Sequence, residues 1–158
     1  MQRVPMTPAG YEFVSGELER HKTVLRPQCI KDIEEARAHG DLSENAEYDA
    51  AKERQGQVEA RIRELEDRVA RAEVIDVTTL PVSERVVFGC TITLFDEAND
   101  EELKYRIVGV DEADVKAGLL SVESPIARAL LGRSSGEEAR VQAPRGLRVF
   151  EIVDVEYI

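Results

Sequence analysis

Eight positions fix the longest element this chain can form. Tyr48, Ala51, Gln55, Val58, Ile62, Leu65, Val69 and Ala72 step by alternating threes and fours without a break. That is the seven-residue repeat of a helix packed on another helix along one seam. A strand cannot satisfy it, because strand positions recur on one face every second residue. A partner helix precedes it. Thr7 reads as its N-cap and Pro8 as its first helical residue, where a missing N–H costs nothing. Tyr11, Val14, Leu18, His21 and Leu25 then follow the same alternation. Pro27 interrupts the register, which resumes with wider steps at Cys29, Ile33 and Ala36. An interior proline removes one backbone bond, which predicts a kink rather than a stop. His39-Gly40 ends the helix, Gly40 suiting a left-handed cap. Two such patterns of near-equal length predict an antiparallel hairpin, roughly 45 Å long at 1.5 Å per residue.

Other positions on the helices have simpler readings. His21, between Leu18 and Leu25 on the seam, is expected as a packed neutral imidazole. Glu59 with Arg63, Glu64 with Arg68 and Asp67 with Arg71 place acid before base at i,i+4, the favourable order on an exposed face. Gly56 costs about 1 kcal/mol relative to Ala, which a close approach of the two helices would explain.

Beyond Ile75 the pattern changes. Residues 76–85, with Thr78, Thr79 and Pro81, read as a linker. Short β-rich runs follow at 86–95, 103–110, 119–122, 140–142 and 147–157, with an acidic hairpin turn at Asn99-Asp100. One short helix interrupts them: Ser124 as N-cap, Pro125 first, Ile126, Ala127, Leu130 and Leu131 apolar, Gly132 as stop. The chain therefore reads as α+β: an N-terminal helical hairpin over 1–75, a linker over 76–85, and a small antiparallel sheet domain with one short helix over 86–158.

Charge narrows the possible partners. The net charge is −11, and neither half is basic: residues 1–75 carry 12 basic and 16 acidic side chains, residues 76–158 carry 9 and 16. Duplex DNA or RNA in general would need a basic excess. Any nucleic-acid contact must be local and supported by a protein partner. No apolar run reaches membrane-spanning length, and Met1-Gln2-Arg3-Val4-Pro5 has no signal-peptide core. Cys29 and Cys90 fit no metal-ligand spacing and read as two free buried thiols. A soluble cytoplasmic protein is expected.

The turn between the helices carries the chemistry. Gly40-Asp41-Leu42-Ser43-Glu44-Asn45-Ala46-Glu47-Tyr48 sets Asp41 and Glu44 three residues apart at the far end of the hairpin, with Glu47 and Asp49 behind them. Asp-x-x-Glu ahead of an apolar-periodic segment is also a capping-box pattern, and Ser43 could equally cap the second helix. Mg²⁺ is a hard, octahedral ion that commonly takes one or two protein carboxylates plus substrate oxygens. Two carboxylates on a projecting tip hold it poorly alone. They become effective beside another metal site, where a second ion helps to position or deprotonate an attacking water in phosphodiester hydrolysis. Such a protein would be inactive without its enzyme.

The tip sequence, continued through Ala50-Ala51-Lys52-Glu53, resembles the GreA/GreB family of bacterial transcript-cleavage factors. So do Arg61-Ile62-Arg63-Glu64-Leu65-Glu66, the run Ser124-Pro125-Ile126-Ala127-Arg128-Ala129-Leu130-Leu131-Gly132, and the ending Glu151-Ile152-Val153-Asp154-Val155-Glu156-Tyr157-Ile158. The resemblance spans nearly the whole chain. Leu42 fits one branch of the family, the other typically carrying Arg there. It implies a coiled coil that enters the secondary channel of RNA polymerase and an FKBP-like C-terminal domain docked at the channel rim. Asp41 and Glu44 match the acidic pair that helps bind catalytic Mg²⁺, shared with the polymerase active site, and stimulates hydrolysis of backtracked RNA. The cleaved fragment carries away the old 3′ end, and a new 3′ end resumes elongation. Asp49 departs from the His often found at that place.

Several residues keep two readings. Ser43 either orients a carboxylate or water, or caps. Tyr48 either stacks on an RNA base or packs in the seam. Arg37 and Lys52 either meet the RNA backbone or form solvated helix surface. Pro125, Ile126 and Arg128 either contact polymerase or simply begin and pack their helix. The chain is expected to act as a monomer and not to be an enzyme itself. Two other functions are weighed against this one. A regulator that only blocks the channel would carry a different, more acidic tip, though Asp49 leans that way. A prolyl isomerase would need clustered aromatics, and residues 86–158 offer only Phe88, Phe95, Tyr105, Phe150 and Tyr157; fold alone does not license that activity.

Overall fold

The computed structural model describes residues 2–40 and 45–158. By contacts the chain divides into two units, one over residues 11–72 and one that joins residues 3–10 to 73–158. This differs from a hairpin over 1–75, a linker over 76–85 and a domain over 86–158. The N-terminal strand belongs with the C-terminal residues for a physical reason. Strand β1 (Val4–Met6) pairs with β2 (Ala72–Val74), and the Ile75 N–H donates to the Met6 carbonyl at 2.9 Å. Within the supposed linker, Val77 is fully buried in the C-terminal core, at the start of a 3₁₀ turn over Val77–Thr79.

Helix α1 (Pro8–Arg20) begins as the sequence predicts, with Thr7 Oγ1 accepting from the Gly10 N–H at 3.1 Å. Thr7 is held in turn by Glu112, whose carboxylate accepts from the Thr7 N–H at 3.2 Å, from the Gly109 N–H at 3.0 Å and from the Thr7 hydroxyl. A Cβ at Gly10 would sit 2.2 Å from the Glu112 carboxyl carbon, so a larger residue there would displace the Glu112 side chain from these bonds.

The kink expected at Pro27 takes another form. The turn before it, His21–Leu25, is π-helical, and the Arg26 N–H reaches back to the His21 carbonyl. Helix α2 (Arg26–Ala38) then carries Pro27 in its first turn. The widened turn relieves the clash a proline ring makes with the carbonyl four residues earlier. His21 is half-buried, and its Nδ1 donates to the Glu17 carbonyl at 2.7 Å.

Helix α3 (Ala46–Arg71) follows the heptad pattern, with Ala51, Val58, Ile62 and Leu65 buried. Cys29, Val58 and Ile62 pack together, flanked by Leu18 and Leu25. Burial raises the Cys29 thiol above its ordinary range. Lys22 meets Glu66 at 2.8 Å and Arg54 meets Asp32 at 3.4 Å across the hairpin. Two expected i,i+4 pairs form, Glu64–Arg68 at 3.4 Å and Asp67–Arg71 at 3.7 Å. Glu59 departs from that scheme and takes Arg26 on the opposite helix in a bidentate pair, at 2.7 and 2.9 Å. A two-pronged charged bond outcompetes a single i,i+4 contact. It holds Glu59 below the usual carboxylate range and raises Arg26.

Gly56 has no close neighbour. A Cβ there would meet nothing within 4 Å, so close helix approach does not explain it. Gly56→Ala is therefore expected to stabilise the protein by about 0.5–1 kcal/mol, read as a higher midpoint in denaturant unfolding. A lower midpoint would mean that the helix needs the glycine's backbone freedom.

The second unit contains a five-stranded sheet in the order β5-β4-β3-β7-β6, built from β3 (Thr91–Asp96), β4 (Glu101–Val108), β5 (Leu119–Ser121), β6 (Glu138–Ala143) and β7 (Gly146–Glu156). Three of its ladders are antiparallel, as expected; the edge ladder β4·β5 is parallel. The sheet is therefore mixed. Residues 109–118, carrying two 3₁₀ turns, cross over between β4 and β5 in place of a hairpin. Asp100 takes φ +50° at the end of the four-residue turn between Asp96 and Glu101, so the hairpin turns on one left-handed residue and is not a two-residue Asn-Asp turn. Helix α4 (Pro125–Leu130) has Ser124 as its N-cap, accepting from the Ala127 N–H at 3.2 Å, and buries Ala127 and Leu130 on the sheet. The core is Ile92, Leu94, Ile107, Phe150 and Ile152 with their neighbours. Among the described residues no helix is long and apolar enough to cross a membrane.

Candidate functional site at the hairpin turn

Helix α2 runs to Ala38, with His39 as its C-cap and Gly40 at φ +104°. The His39 N–H donates to the Ala36 carbonyl at 3.2 Å and the Gly40 N–H to the Arg37 carbonyl at 3.3 Å. Helix α3 starts at Ala46, and its N-cap is Asn45, whose Oδ1 accepts from the Tyr48 N–H at 3.0 Å. The sequence reading left Ser43, or an Asp41–Glu44 box, as candidate caps; Asn45 holds that place. The signal was present, since Asn is among the strongest N-caps, but Ser43 and the acidic pair competed for it. Asp41, Ser43 and Glu44 themselves lie outside the described residues.

Asn45 does a second thing that the sequence did not reveal. Its Nδ2 donates to the Ala36 carbonyl on α2 at 2.6 Å. One amide thus caps α3 and ties its start to a carbonyl in the last turn of α2.

Two grooves lie beside this junction. Arg37, Tyr48 and Lys52, three of the residues singled out from sequence, line one of about 190 Å³ together with Ile30, Ile33, Glu34 and Gln55. Tyr48 is half-buried while Arg37 and Lys52 are exposed, and Lys52 Nζ donates to Gln55 Oε1 at 3.2 Å. The other groove, of about 300 Å³, carries Asp32, Glu35, Glu47, His39 and Arg54. There His39 Nδ1 lies 3.0 Å from a Glu47 carboxylate oxygen, both side chains well exposed. Basic and aromatic groups are thus gathered in one groove and carboxylates predominate in the other. Asp49 is exposed on α3. Among the described residues, no three His, Cys, Asp or Glu side chains are placed to hold a metal ion together.

In the second unit, Pro125 and Arg128 are exposed on α4, whereas Ile126 is half-buried against the core. Phe150 is fully buried, so it is core and lines no prolyl pocket.

Comparison with known proteins identifies the class. Residues 4–74 match the family model "Transcription elongation factor, N-terminal", and residues 81–157 match "Transcription elongation factor, GreA/GreB, C-term". The chain belongs to the GreA/GreB family of transcription elongation factors. It is 56% identical to transcription elongation factor GreA of Phenylobacterium zucineum and 54% identical to that of Caulobacter vibrioides, in each case over 100% of both chains. The crystal structure of the GreA factor homolog 1 protein of Thermus thermophilus is 30% identical, with 98% of this chain and 99% of that one covered and a TM-score of 0.44. As a GreA-type factor the chain stimulates transcript cleavage by RNA polymerase and is not itself an enzyme.

Proposed function

We propose that Asp41 and Glu44 supply carboxylate oxygens to a Mg²⁺ ion shared with the RNA polymerase active site, and that backtracked RNA is the substrate. The observation that carries this reading is the Asn45 cap. Helix α3 starts directly after Asn45, whose Oδ1 takes the Tyr48 N–H at 3.0 Å, so the N-cap place is filled without either acidic residue. A hard divalent ion suits two carboxylates plus phosphate oxygens and water, and when bound it supplies charge stabilisation and an activated water. Arg37 and Lys52 then serve the RNA backbone, and Tyr48, half-buried in the same groove, stacks on a base. Ser43 assists by orienting a carboxylate or water. The hairpin reaches this place through the secondary channel, as a monomer, in the cytoplasm, while Pro125, Ile126 and Arg128 on α4 contact the polymerase at the channel rim.

The test is cleavage by a stalled, backtracked polymerase complex across a Mg²⁺ titration, with and without this protein. The factor is expected to lower the Mg²⁺ concentration for half-maximal cleavage several-fold, on the order of 1 kcal/mol of added ion affinity. An identical Mg²⁺ dependence in both arms would refute a metal role for the tip.

A further inference from the structure

We infer that Asn45 is a positioning residue for stimulated cleavage: its side-chain amide sets the two helix ends from which Asp41 and Glu44 depart. The inference rests on the reading of those carboxylates as metal ligands, and it adds a residue that acts through them.

The geometry is specific to an amide. Oδ1 accepts from the Tyr48 N–H at 3.0 Å, and Nδ2 donates to the Ala36 carbonyl at 2.6 Å. Capping needs only the acceptor, which Ser or Asp would supply equally well. The donor is surplus to capping. It crosses to the other helix, and the Ala36 carbonyl it reaches already accepts the His39 N–H at 3.2 Å. Ala36 is buried, as is Ala51 on α3, so small residues let the helices come together beneath the bridge. Among the described residues, His39–Glu47 also lies close to the turn, but it is a single contact between exposed side chains, and exposed pairs contribute little. Asn45 is half-buried by contrast, and its bridge to the Ala36 carbonyl is short, at 2.6 Å.

Ligands of a metal shared with another protein must be delivered in a set relation to it. A misplacement of about 1 Å can cost on the order of a hundredfold in rate. Removing the bridge while keeping the cap therefore separates positioning from helix stability.

The experiment compares Asn45→Ser, Asn45→Asp and Asn45→Ala with the full-length protein on backtracked polymerase complexes. It measures the maximal cleavage rate at saturating factor, the factor concentration for half-saturation, the Mg²⁺ dependence and the thermal midpoint. For Asn45→Ser and Asn45→Asp, which keep the cap, the maximal rate is expected to fall about tenfold or more. Half-saturation should stay within about twofold and the midpoint should be unchanged. The serine variant, which adds no charge, should also need more Mg²⁺. Wild-type rates in both capped variants, with loss confined to Asn45→Ala, would overturn the inference and leave Asn45 a cap alone. A loss that tracks weaker polymerase binding or a lower midpoint would overturn it too. Asp41→Ala and Glu44→Ala run alongside: if they keep full cleavage, the metal-ligand reading fails whatever Asn45 does. If they lose it while the capped variants do not, only the role of Asn45 falls.

Discussion

Asp41→Ala or Glu44→Ala is expected to lower maximal stimulated cleavage by at least about a hundredfold, a loss on the order of 3 kcal/mol in transition-state stabilisation. Half-saturating factor concentration should change by less than about twofold. The split follows from where the residues sit in the sequence. Both lie between Gly40 and Asn45, outside the seam residues Cys29, Val58 and Ile62 that hold the hairpin. Neither is needed at the N–H that Asn45 caps. On the proposed reading their truncation removes oxygen ligands and negative charge and leaves the seam residues Cys29, Val58 and Ile62 themselves unaltered. The measurement is RNA cleavage in a stalled complex, with polymerase binding followed separately by competition. A parallel loss of binding would mean that the turn docks on the polymerase and the carboxylates are contact residues only. Since each carboxylate would serve one ion, the double variant should be little worse than either single one.

The second large effect concerns stability and lies in the other unit. Asp96 is 0% exposed at the end of β3. Its carboxylate accepts from the Ala98 N–H at 3.1 Å, from Asn99 Nδ2 at 2.9 Å and from Arg148 Nη2 at 2.9 Å. Arg148 also lies over the Phe150 ring, 4.8 Å from its centroid. Asp96→Ala is expected to cost about 2–3 kcal/mol, because it unpairs the donors of a buried turn; the half-exposed Arg148 recovers water and keeps the loss from being larger. Denaturant unfolding measures it. Burial alone would raise the Asp96 pKa, but the bonds from Asn99, Arg148 and Ala98 outweigh it and hold it below the ordinary aspartate range. A carboxylate lowered in the folded state stabilises fully above its unfolded value of about 3.9. That contribution is lost as pH falls through the lower, folded value. The stability gap between wild type and Asp96→Asn should thus be flat near neutrality and close below about pH 4. A gap that persists unchanged in acid would mean the residue acts through shape, not charge.

Asp96 also shows why some of the structure was hidden in the sequence. It opens a run of acidic turn residues, Asp96 to Glu102, and so reads as solvated loop. Yet it continues the alternation of Ile92 and Leu94, which places it on the buried face. The period of two carried the information, and the charge obscured it. The helical hairpin was legible because a heptad has one buried face and no competing period, and Ala51, Val58, Ile62 and Leu65 are buried as it demands. Glu59 was not. Its choice of Arg26 over Arg63 depends on which residues of the other helix stand opposite, and spacing along one helix holds no record of that. The same limit hid the Asn45 bridge, half of which is a carbonyl nine positions earlier. The parallel β4·β5 edge was lost because three-residue strands carry too little pattern to fix direction. At the turn, the sequence paired Arg37 with Lys52 as a small basic patch and singled out Tyr48 separately, and the fold gathers all three into a single groove.

The π-helical turn at His21–Leu25 has a consequence for reading relatives side by side. From Leu18 the inward positions fall at His21, Leu25, Cys29, Ile33 and Ala36, which is one residue more than strict alternation of threes and fours would use. A wide turn stores that surplus residue as a local bulge, so the same face stays inward on both sides of it. A sibling chain one residue shorter in this stretch would keep the same seam with an ordinary α-turn, and a single-residue gap in an alignment there marks no change in how the two helices meet.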